Sequence, residues 1–475
     1  MTLEVERKFD LDPGQELPPL DGLEPSAEFR LEATYFDTIH FALTRQRLVV
    51  RHRTGGDDDG WHVKLPGSDV DHRVEHHAPP DAPRLPPGLR DLVADSLDGQ
   101  ALVPVARLRT RRRQAPWRNP AGQLLGLVCT DDVTATTALG STSWREAEVE
   151  LVGADPGLLD GVTTAFAAAG VHPATAKAKI ARTLADVIAA DDAARAGDPT
   201  AAGVVLDYVS RQVGTLQELE AGVLGDEPDA VHRSRVATRR LRSALRTFRA
   251  LFDQDEVRRV RDELAWHAGE LGAARDAEVL RDGLLEALDN LGTPAEAAER
   301  ELIGQSLHEA HQRAHAELRQ TMATPRYDRL QESLAHWLAD PPLAAADPVP
   351  AAPILHGLLD RSRARVATGY LAALRAPDDP AGWHEVRKAA KAVRYCAEAL
   401  EPVYGERAGE HAAAWEAVTD AFGELQDSVV ARAAIADLDS ESPALAALLA
   451  YQVGRGRAEL SRGRAALDAA LAASL

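Results

Sequence analysis

The chain reads as an α+β, multi-domain protein: an N-terminal antiparallel, closed β-barrel, then a C-terminal all-α bundle of two copies related by pseudo-two-fold symmetry. Three observations predict this. The hydrophobic period changes from two residues to 3.6 near residue 185. Short runs before that point alternate charged residues with valine or alanine, so each strand has one charged face. Beyond it, His232, Arg235, Arg239 and Arg242 recur as His384, Arg387, Lys391 and Arg394, at a constant offset of 152 residues.

Residues 3–9, 47–53, 61–65, 73–77, 105–113, 124–130 and 144–151 have strand periodicity and are bounded by Pro, Gly and Asp clusters. Helical patterns occupy 89–97 and 158–169. The first domain therefore spans 1–185, a small-residue, charged linker spans 186–202, and the helical domain spans 203–475. Within the latter, a Pro/Ala-rich connector at 338–353 separates two halves, about 203–337 and 354–475. The duplication reaches past the basic helices, because Leu271-Gly272 leads to Asp276 and Phe422-Gly423 leads to Asp427. Order, spacing and residue type together indicate an internal repeat. They predict that the two basic helices face one another, with Asp276 and Asp427 as orienting residues.

At 475 residues each domain is long enough for its own core. A net charge of −20 excludes a general nucleic-acid coat and makes any cluster of cations informative. Cys129 and Cys396 lie in different halves and give no disulfide framework, which fits a reducing cytoplasm. The charged N-terminal segment predicts no signal peptide, and no apolar run is long enough for a membrane span.

Spacing i, i+3, i+7, i+10 places four side chains within an arc of roughly 80° on a helix. Each copy thus stacks a histidine and three cations on one narrow face, although like charges at i, i+4 repel by a few tenths of a kcal/mol. From 230 to 252 there are seven arginines and no acidic residue. Two helices that tolerate this repulsion point to an anionic ligand on a shared face, in the domain of phosphate chemistry. Arg240, Arg246 and Lys388 are candidate helpers. His232 and His384 are either ligands or structural groups bonded to backbone carbonyls. His308, His311 and His315 share a helix face, but His-Glu-Ala-His lacks the spacing of a zinc protease motif, and a metal site there is not expected.

In the first domain Glu4, Glu6 and Lys8 share one strand face, as do Arg51 and Arg53, Arg73 and Glu75, Arg107 to Arg113 by twos, and Glu146, Glu148 and Glu150. One such strand is ordinarily a solvated sheet face. Five of them fit a closed barrel with a charged lumen, where cations hold phosphate oxygens and carboxylates hold Mg²⁺ or Mn²⁺. On this reading the run 109–113 is a row of alternating lumen arginines.

Glu4-Val5-Glu6-Arg7-Lys8 resembles the ExExK signature of the CYTH family, the triphosphate tunnel metalloenzymes. The resemblance continues through Tyr35-Phe36-Asp37-Thr38, Trp61-His62-Val63-Lys64-Leu65-Pro66, Asp131-Asp132-Val133 and Trp144-Arg145-Glu146-Ala147-Glu148, and covers about 1–185. It implies a triphosphate tunnel in which Lys8, Arg51, Arg53, Lys64, Arg73, Arg109 or Arg111, and Lys179 bind substrate. Glu146 and Glu148 would hold a divalent metal, Mg²⁺ or Mn²⁺. Glu4 and Glu6 would hold a second metal or position the attacking water, with Asp131 or Asp132 assisting. Ala178 departs from the serine often found before the family's lysine. The segments around His232 and His384 resemble the CHAD domain, a conserved-histidine α-helical module. That similarity implies binding of inorganic polyphosphate and association with polyphosphate granules in the cytoplasm. The tandem implies metal-dependent hydrolysis of inorganic triphosphate or short polyphosphate. Its alternatives are a weakly catalytic polyphosphate-binding protein, a nucleoside or thiamine triphosphatase, or an adenylate cyclase. Neither a membrane nor a specific nucleic-acid partner is expected.

Overall fold

A computed structural model describes residues 2–67, 71–176, 178–291, 297–345, 349–436 and 443–473. It forms two compact units, one of Met1–Gly197 with the short segment Ala335–Asp340 and one of Asp198–Leu334 with Pro341–Leu475.

The first unit is a closed antiparallel barrel. Its strands are β1 (Thr2–Leu11), β2 (Ala27–Asp37), β3 (Val49–Thr54), β4 (Gly60–Pro66), β5 (His72–Ala78), β6 (Val103–Arg118), β7 (Leu124–Thr137) and β8 (Gly140–Leu151). They run in the order β5-β4-β3-β2-β6-β7-β8-β1, and β1 pairs with β5 to close the ring. A two-residue strand, β9 (His172–Pro173), pairs outside the ring with Phe9 and Asp10. Closure leaves no exposed sheet edge and creates an interior. The short helices α1 (Ala42–Arg45), α2 (Pro87–Arg90) and α3 (Ala94–Leu97) cover one outer patch, with Leu43, Leu89 and Leu97 packed on Val50, Trp61 and Val63. Helix α4 (Leu158–Ala168) covers another, where Leu159, Val162 and Phe166 pack on Phe9, Ala147 and Val149. The Phe9 and Phe166 rings meet edge to face at 4.8 Å. Burying each such side chain contributes about 2 kcal/mol. Those apolar patches fix strand parity: residues one position away must point inward.

Helix α5 (Lys179–Arg195) ends the barrel. Its Ile180 and Leu184 pack on Ala33, Tyr35, Val49, Leu108 and Val133, side chains of the inner face, so its first turn closes one end of the lumen. The stretch 186–195 expected as linker is therefore the continuation of this helix. Ile180, Leu184, Val187 and Ile188 carry its apolar stripe, which the small-residue tail of the segment obscured.

The second unit is helical: α6 (Ala201–Leu224), α7 (Ala230–Thr247), α8 (Gln254–Leu291), α9 (Ala297–Met322), α10 (Pro325–Ala339), α11 (Ala351–Ala373), α12 (Pro380–Ala399), α13 (Glu401–Tyr404), α14 (Glu406–Ala436) and α15 (Pro443–Ala472). In the first half α6 packs on α7, α7 on α8 and α8 on α9; in the second α11 packs on α12, α12 on α14 and α14 on α15. The halves meet through α6 with α11 and α7 with α12. The repeat inferred from sequence is thus a repeat of helix packing. Thr200 caps α6 through Oγ1, which accepts from Gly203 N at 3.0 Å, and Asp379 caps α12 by accepting from Ala381 N at 3.0 Å. Both basic helices are amphipathic. Val231, Ala237, Leu241 and Ala244 bury one face of α7, and Trp383, Val386, Ala390 and Val393 bury one face of α12. That burial offsets the repulsion on the opposite faces. Of the expected 338–353 connector, 338–339 end α10 and 351–353 begin α11, 346–348 lie outside the described residues, and the remainder links the two helices.

Candidate functional site

Cross-strand register decides what lines the barrel. Around the ring Tyr35 is opposite Arg51, Arg51 opposite His62, Lys64 opposite Glu75, and Arg73 opposite Glu4. Glu6 is opposite Glu150, Lys8 opposite Glu148, Glu146 opposite Asp131, and Asp131 opposite Arg112. Directly opposed residues share a face, so these groups form one continuous inner wall. They surround a cavity of about 360 Å³. Its β2/β6 side is largely apolar, with Phe29, Leu31, Ala33 and Leu108, and charges occupy the rest.

Lys179 sits among carboxylates. Its Nζ lies 2.9 Å from Asp131, 2.7 Å from Glu146 and 2.6 Å from Glu148. Desolvation opposes its charge, but those three anions hold its pKa well above the ordinary lysine value. Arg112 grips Asp131 through two hydrogen bonds of 2.9 and 2.7 Å and also pairs with Glu148. Lys8 pairs with Glu148 and lies 3.3 Å from Glu6. Glu148 is buried, which disfavours its charge, yet Lys179, Lys8 and Arg112 drive its pKa far below the carboxylate range. Trp144 Nε1 donates to Glu146 at 2.5 Å.

A second acidic group faces the first. Lys64 donates to both oxygens of Glu4, at 2.8 and 2.6 Å, and lies 3.5 Å from Glu75. Burial and a hydrogen bond shared with Glu75 push the Glu4 carboxyl up to about 8, against the pull of Lys64. Glu75 moves down despite its burial, because His62, Glu4, Lys64 and Arg51 favour its anion. Burial also pushes His62 down to about 4 against the pull of Glu75; its Nδ1 lies 2.8 Å from Glu75 and its Nε2 2.8 Å from the Asp58 carbonyl. Arg53 is pushed down to about 9 by burial and by Arg51 and Arg112. Arg73 approaches Glu6 at 3.8 Å. The expected Glu4, Glu6, Lys8, Arg51, Arg53, Lys64, Arg73, Asp131, Glu146, Glu148 and Lys179 are thus all brought to one wall.

Arg109 and Arg111 are not. Their side chains are 71% and 60% exposed and pair at 2.8 Å with Glu32 and Glu28 on the outer surface. Leu108, Thr110, Arg112 and Gln114 point inward instead, opposite Ala33, Leu31, Phe29 and Ala27. Alternating charge normally marks a solvated face, and here it did. The sequence signal for Arg112 was the company of Leu108 and Thr110 at even positions. Glu75 takes the lumen face expected for it beside Arg73, whereas His62 was missed as a lumen group, although it alternates with the buried Val63.

The barrel residues fit a divalent cation. Oxygens of Asp131, Glu146 and Glu148 lie within 4.8 Å of one another, all hard donors, with an ammonium group between them.

In the helical unit α7 and α12 face one another, as the repeat predicted. Arg239 acts on Lys391, Arg235 on both Arg387 and Lys391, and Arg239 shares a hydrogen bond with Tyr395 of α12. Burial and these guanidiniums push the Lys391 amine down to about 6. Arg235 pairs with Asp276 at 2.6 Å, and Asp427, then Asp420, attract Arg387. Gly272 and Gly423 lie against those two arginines, so a side chain at either would enter guanidinium space. His232 and His384 are half-buried, and desolvation followed by a neighbouring cation (Arg275 and Lys388, respectively) lowers both. Arg240 and Arg394 are tied down by Glu398, at 3.0 and 2.9 Å. Lys388 points away and pairs with Glu385 at 2.7 Å. Arg242 and Arg246 extend the row along α7. His311 pairs with Asp226 at 3.0 Å and His315 with the Val223 carbonyl at 2.7 Å, both local tethers.

The fold and wall together define a class: a charged-lumen barrel joined to a duplicated helical polycation-bearing unit. The CYTH domain model matches residues 2–184 and the CHAD domain model matches 207–436. Two uncharacterized proteins of Mycobacterium tuberculosis, from two strains, are each 34% identical over 468 residues, covering 90% of this chain and 87% of theirs. The chain belongs to the family of proteins that carry a CYTH domain followed by a CHAD domain. Among solved structures, PptA from Streptomyces chartreusis is 27% identical, covering 57% of this chain and 99% of its own, with a TM-score of 0.46. The CHAD domain from the plant Ricinus communis is also 27% identical, covering 57% and 93%, with a TM-score of 0.47. CYTH domains are metal-dependent triphosphatases or cyclases, and the pairing with CHAD indicates chemistry of triphosphate or polyphosphate. No described helix is long and apolar enough to cross a membrane.

Proposed function

We propose that the chain hydrolyses inorganic triphosphate or short polyphosphate in the barrel, and that the facing helices α7 and α12 hold polyphosphate. The observation that carries this reading is the inner wall itself: Lys8, Arg51, Lys64, Arg73 and Arg112 on one closed surface with Glu4, Glu6, Asp131, Glu146 and Glu148. A linear triphosphate is a multiply charged anion, and the wall offers it buried, pre-placed cations at low reorganisation cost. These lysines and arginines bind non-bridging oxygens and neutralise charge as the bridging P–O bond lengthens. Water adds to the terminal phosphorus, the bridging bond breaks, and orthophosphate and diphosphate leave. No covalent nucleophile is needed. Glu4 or Glu6 orients the water and accepts its proton, in keeping with the raised position of Glu4. Asp131, Glu146 and Glu148 would hold Mg²⁺ or Mn²⁺, with Glu6 on the neighbouring strand β1. When bound, the ion supplies further neutralisation of phosphate charge.

The test is phosphate release from tripolyphosphate with Mg²⁺, with Mn²⁺ and with a chelator, for the wild type and for Glu4→Ala/Glu6→Ala. Metal-dependent release that falls at least 100-fold in the double variant, the typical scale of a positioned acid–base pair, is expected. Release that persists in that variant, or in the chelator, rejects the proposal.

A further inference from the structure

The two copies of the basic helix are unequal at one end. One turn beyond Arg242 the sequence has Arg246; one turn beyond Arg394, at the same 152-residue offset, it has Glu398. Glu398 accepts hydrogen bonds from Arg240 at 3.0 Å, Arg394 at 2.9 Å and the Tyr208 hydroxyl at 2.9 Å. Arg394 is held further by Glu416 and, at 3.9 Å, Asp420. The C-terminal end of α12 is thus neutralised by carboxylates.

The C-terminal end of α7 is the reverse. Burial and then the guanidiniums of Arg261 (α8), Arg365 (α11) and Arg242 act against the charge on Arg246, and no carboxylate offsets them. Arg261 is disfavoured by burial and by Arg242, with only Asp262 opposing, and its Nε is buried without a hydrogen-bond partner. Among the described residues none of Arg242, Arg246, Arg261 and Arg365 forms a salt bridge. At the 151-residue offset that relates Gly272 to Gly423, Arg261 corresponds to Ala412, and at 152 residues Arg365 corresponds to Val213, so this cluster exists in one copy only. Four cations with no salt-bridge partner among the described residues, in a chain of net charge −20, are a standing electrostatic cost unless an anion is present. Phe248 and Phe252, the nearest aromatic residues along α7 and its exit, are fully buried. Bases would find no stacking platform on them, which favours a bare phosphate chain over a nucleic acid.

We infer that a long polyphosphate chain leaves the α7/α12 face along α7 only, over a second anion subsite formed by Arg246, Arg261 and Arg365, while Glu398 closes the equivalent path along α12. This rests on the reading of that face as a polyphosphate site. Binding by the facing helices alone would be indifferent to chain length beyond their own span. With the one-sided extension, affinity keeps rising as the chain lengthens.

The test compares long-chain polyphosphate and tripolyphosphate on the full-length protein, in wild type, Arg261→Gln/Arg365→Gln and Arg239→Gln/Lys391→Gln, across a salt series. The Arg261/Arg365 variant is expected to lose at least tenfold in long-chain affinity and to flatten the salt slope by about 0.7 per lost contact. Its tripolyphosphate binding stays within twofold, which also reports that it is folded. Unchanged long-chain affinity, or equal losses for both ligands, overturns the exit path. Wild type that binds no long-chain polyphosphate, or an Arg239/Lys391 variant that binds it as wild type does, rejects the underlying reading instead. Equal affinity for a single-stranded oligonucleotide of the same charge overturns the assignment to polyphosphate.

Discussion

Burial, with Arg387, Arg239 and Arg235 around it, holds the Lys391 amine near pKa 6, and Asp427 is the charge that opposes them. The sign follows from linkage. An unfolded lysine stays protonated to about pH 10, so between that value and 6 the unfolded chain binds the extra proton, and stability rises with pH across this window. A bound polyanion reverses the preference by raising the pKa of Lys391, so binding takes up a proton. Polyphosphate affinity should therefore increase as pH falls from 9 toward 6, by roughly one decade per unit at most. Below 6 this contribution levels off. Calorimetry in buffers of different ionisation enthalpy should register close to one proton taken up at pH 8, and Lys391→Gln should remove it. An unchanged uptake in that variant would place the proton on His232 or His384 instead.

At the scale of an element, the paired glycines of α8 and α14 show how a helix makes room for a charge. A β-carbon on Gly423 would sit 2.9 Å from Arg387 Nη2, whereas one on Gly272 would sit 3.8 Å from Arg235 Nη2. Alanine in a helix interior is otherwise worth up to about 1 kcal/mol over glycine. Gly272→Ala should thus raise thermal stability and leave polyphosphate binding intact. Gly423→Ala should displace Arg387 and weaken binding several-fold, measured by titration at fixed salt; equal affinity in both variants would contradict the packing described. Strand β6 carries the lesson about legibility. Its run from Arg107 to Arg113 suggested lumen arginines at odd positions, but parity is set by what packs around it: Leu108 and Thr110 face the apolar inner wall of β2, and Arg109 and Arg111 find Glu32 and Glu28 outside. Strand β2 was legible in principle, since Phe29, Leu31, Ala33 and Tyr35 alternate with Arg30, Glu32 and Thr34, yet only its end was recognised, through the Tyr35–Thr38 segment. Helix α5 was hidden because its apolar stripe is short and its tail is rich in Ala and Asp.

Over the whole molecule, the features written as periodicity and repetition were readable, and those written as three-dimensional compensation were not. The barrel, the duplicated bundle and the convergence of α7 with α12 follow from spacing alone. Which cations remain free does not: Arg240, Arg394 and Lys388 are matched by Glu398, Glu416 and Glu385, and only the fold brings the first two pairs together. A strongly acidic chain with two basic recesses should also bind its anions in a salt-sensitive manner, because the surrounding surface repels what the recesses attract. The most direct test of the central claim, that the barrel lumen holds the triphosphate, is kcat/KM for tripolyphosphate in Arg112→Ala beside Arg109→Ala/Arg111→Ala. A loss of about 100-fold or more for Arg112→Ala, with the outer pair within threefold of wild type, is predicted, on the scale of removing one charged group from a pre-organised site. A larger loss in the outer pair, or none in Arg112→Ala, would contradict it.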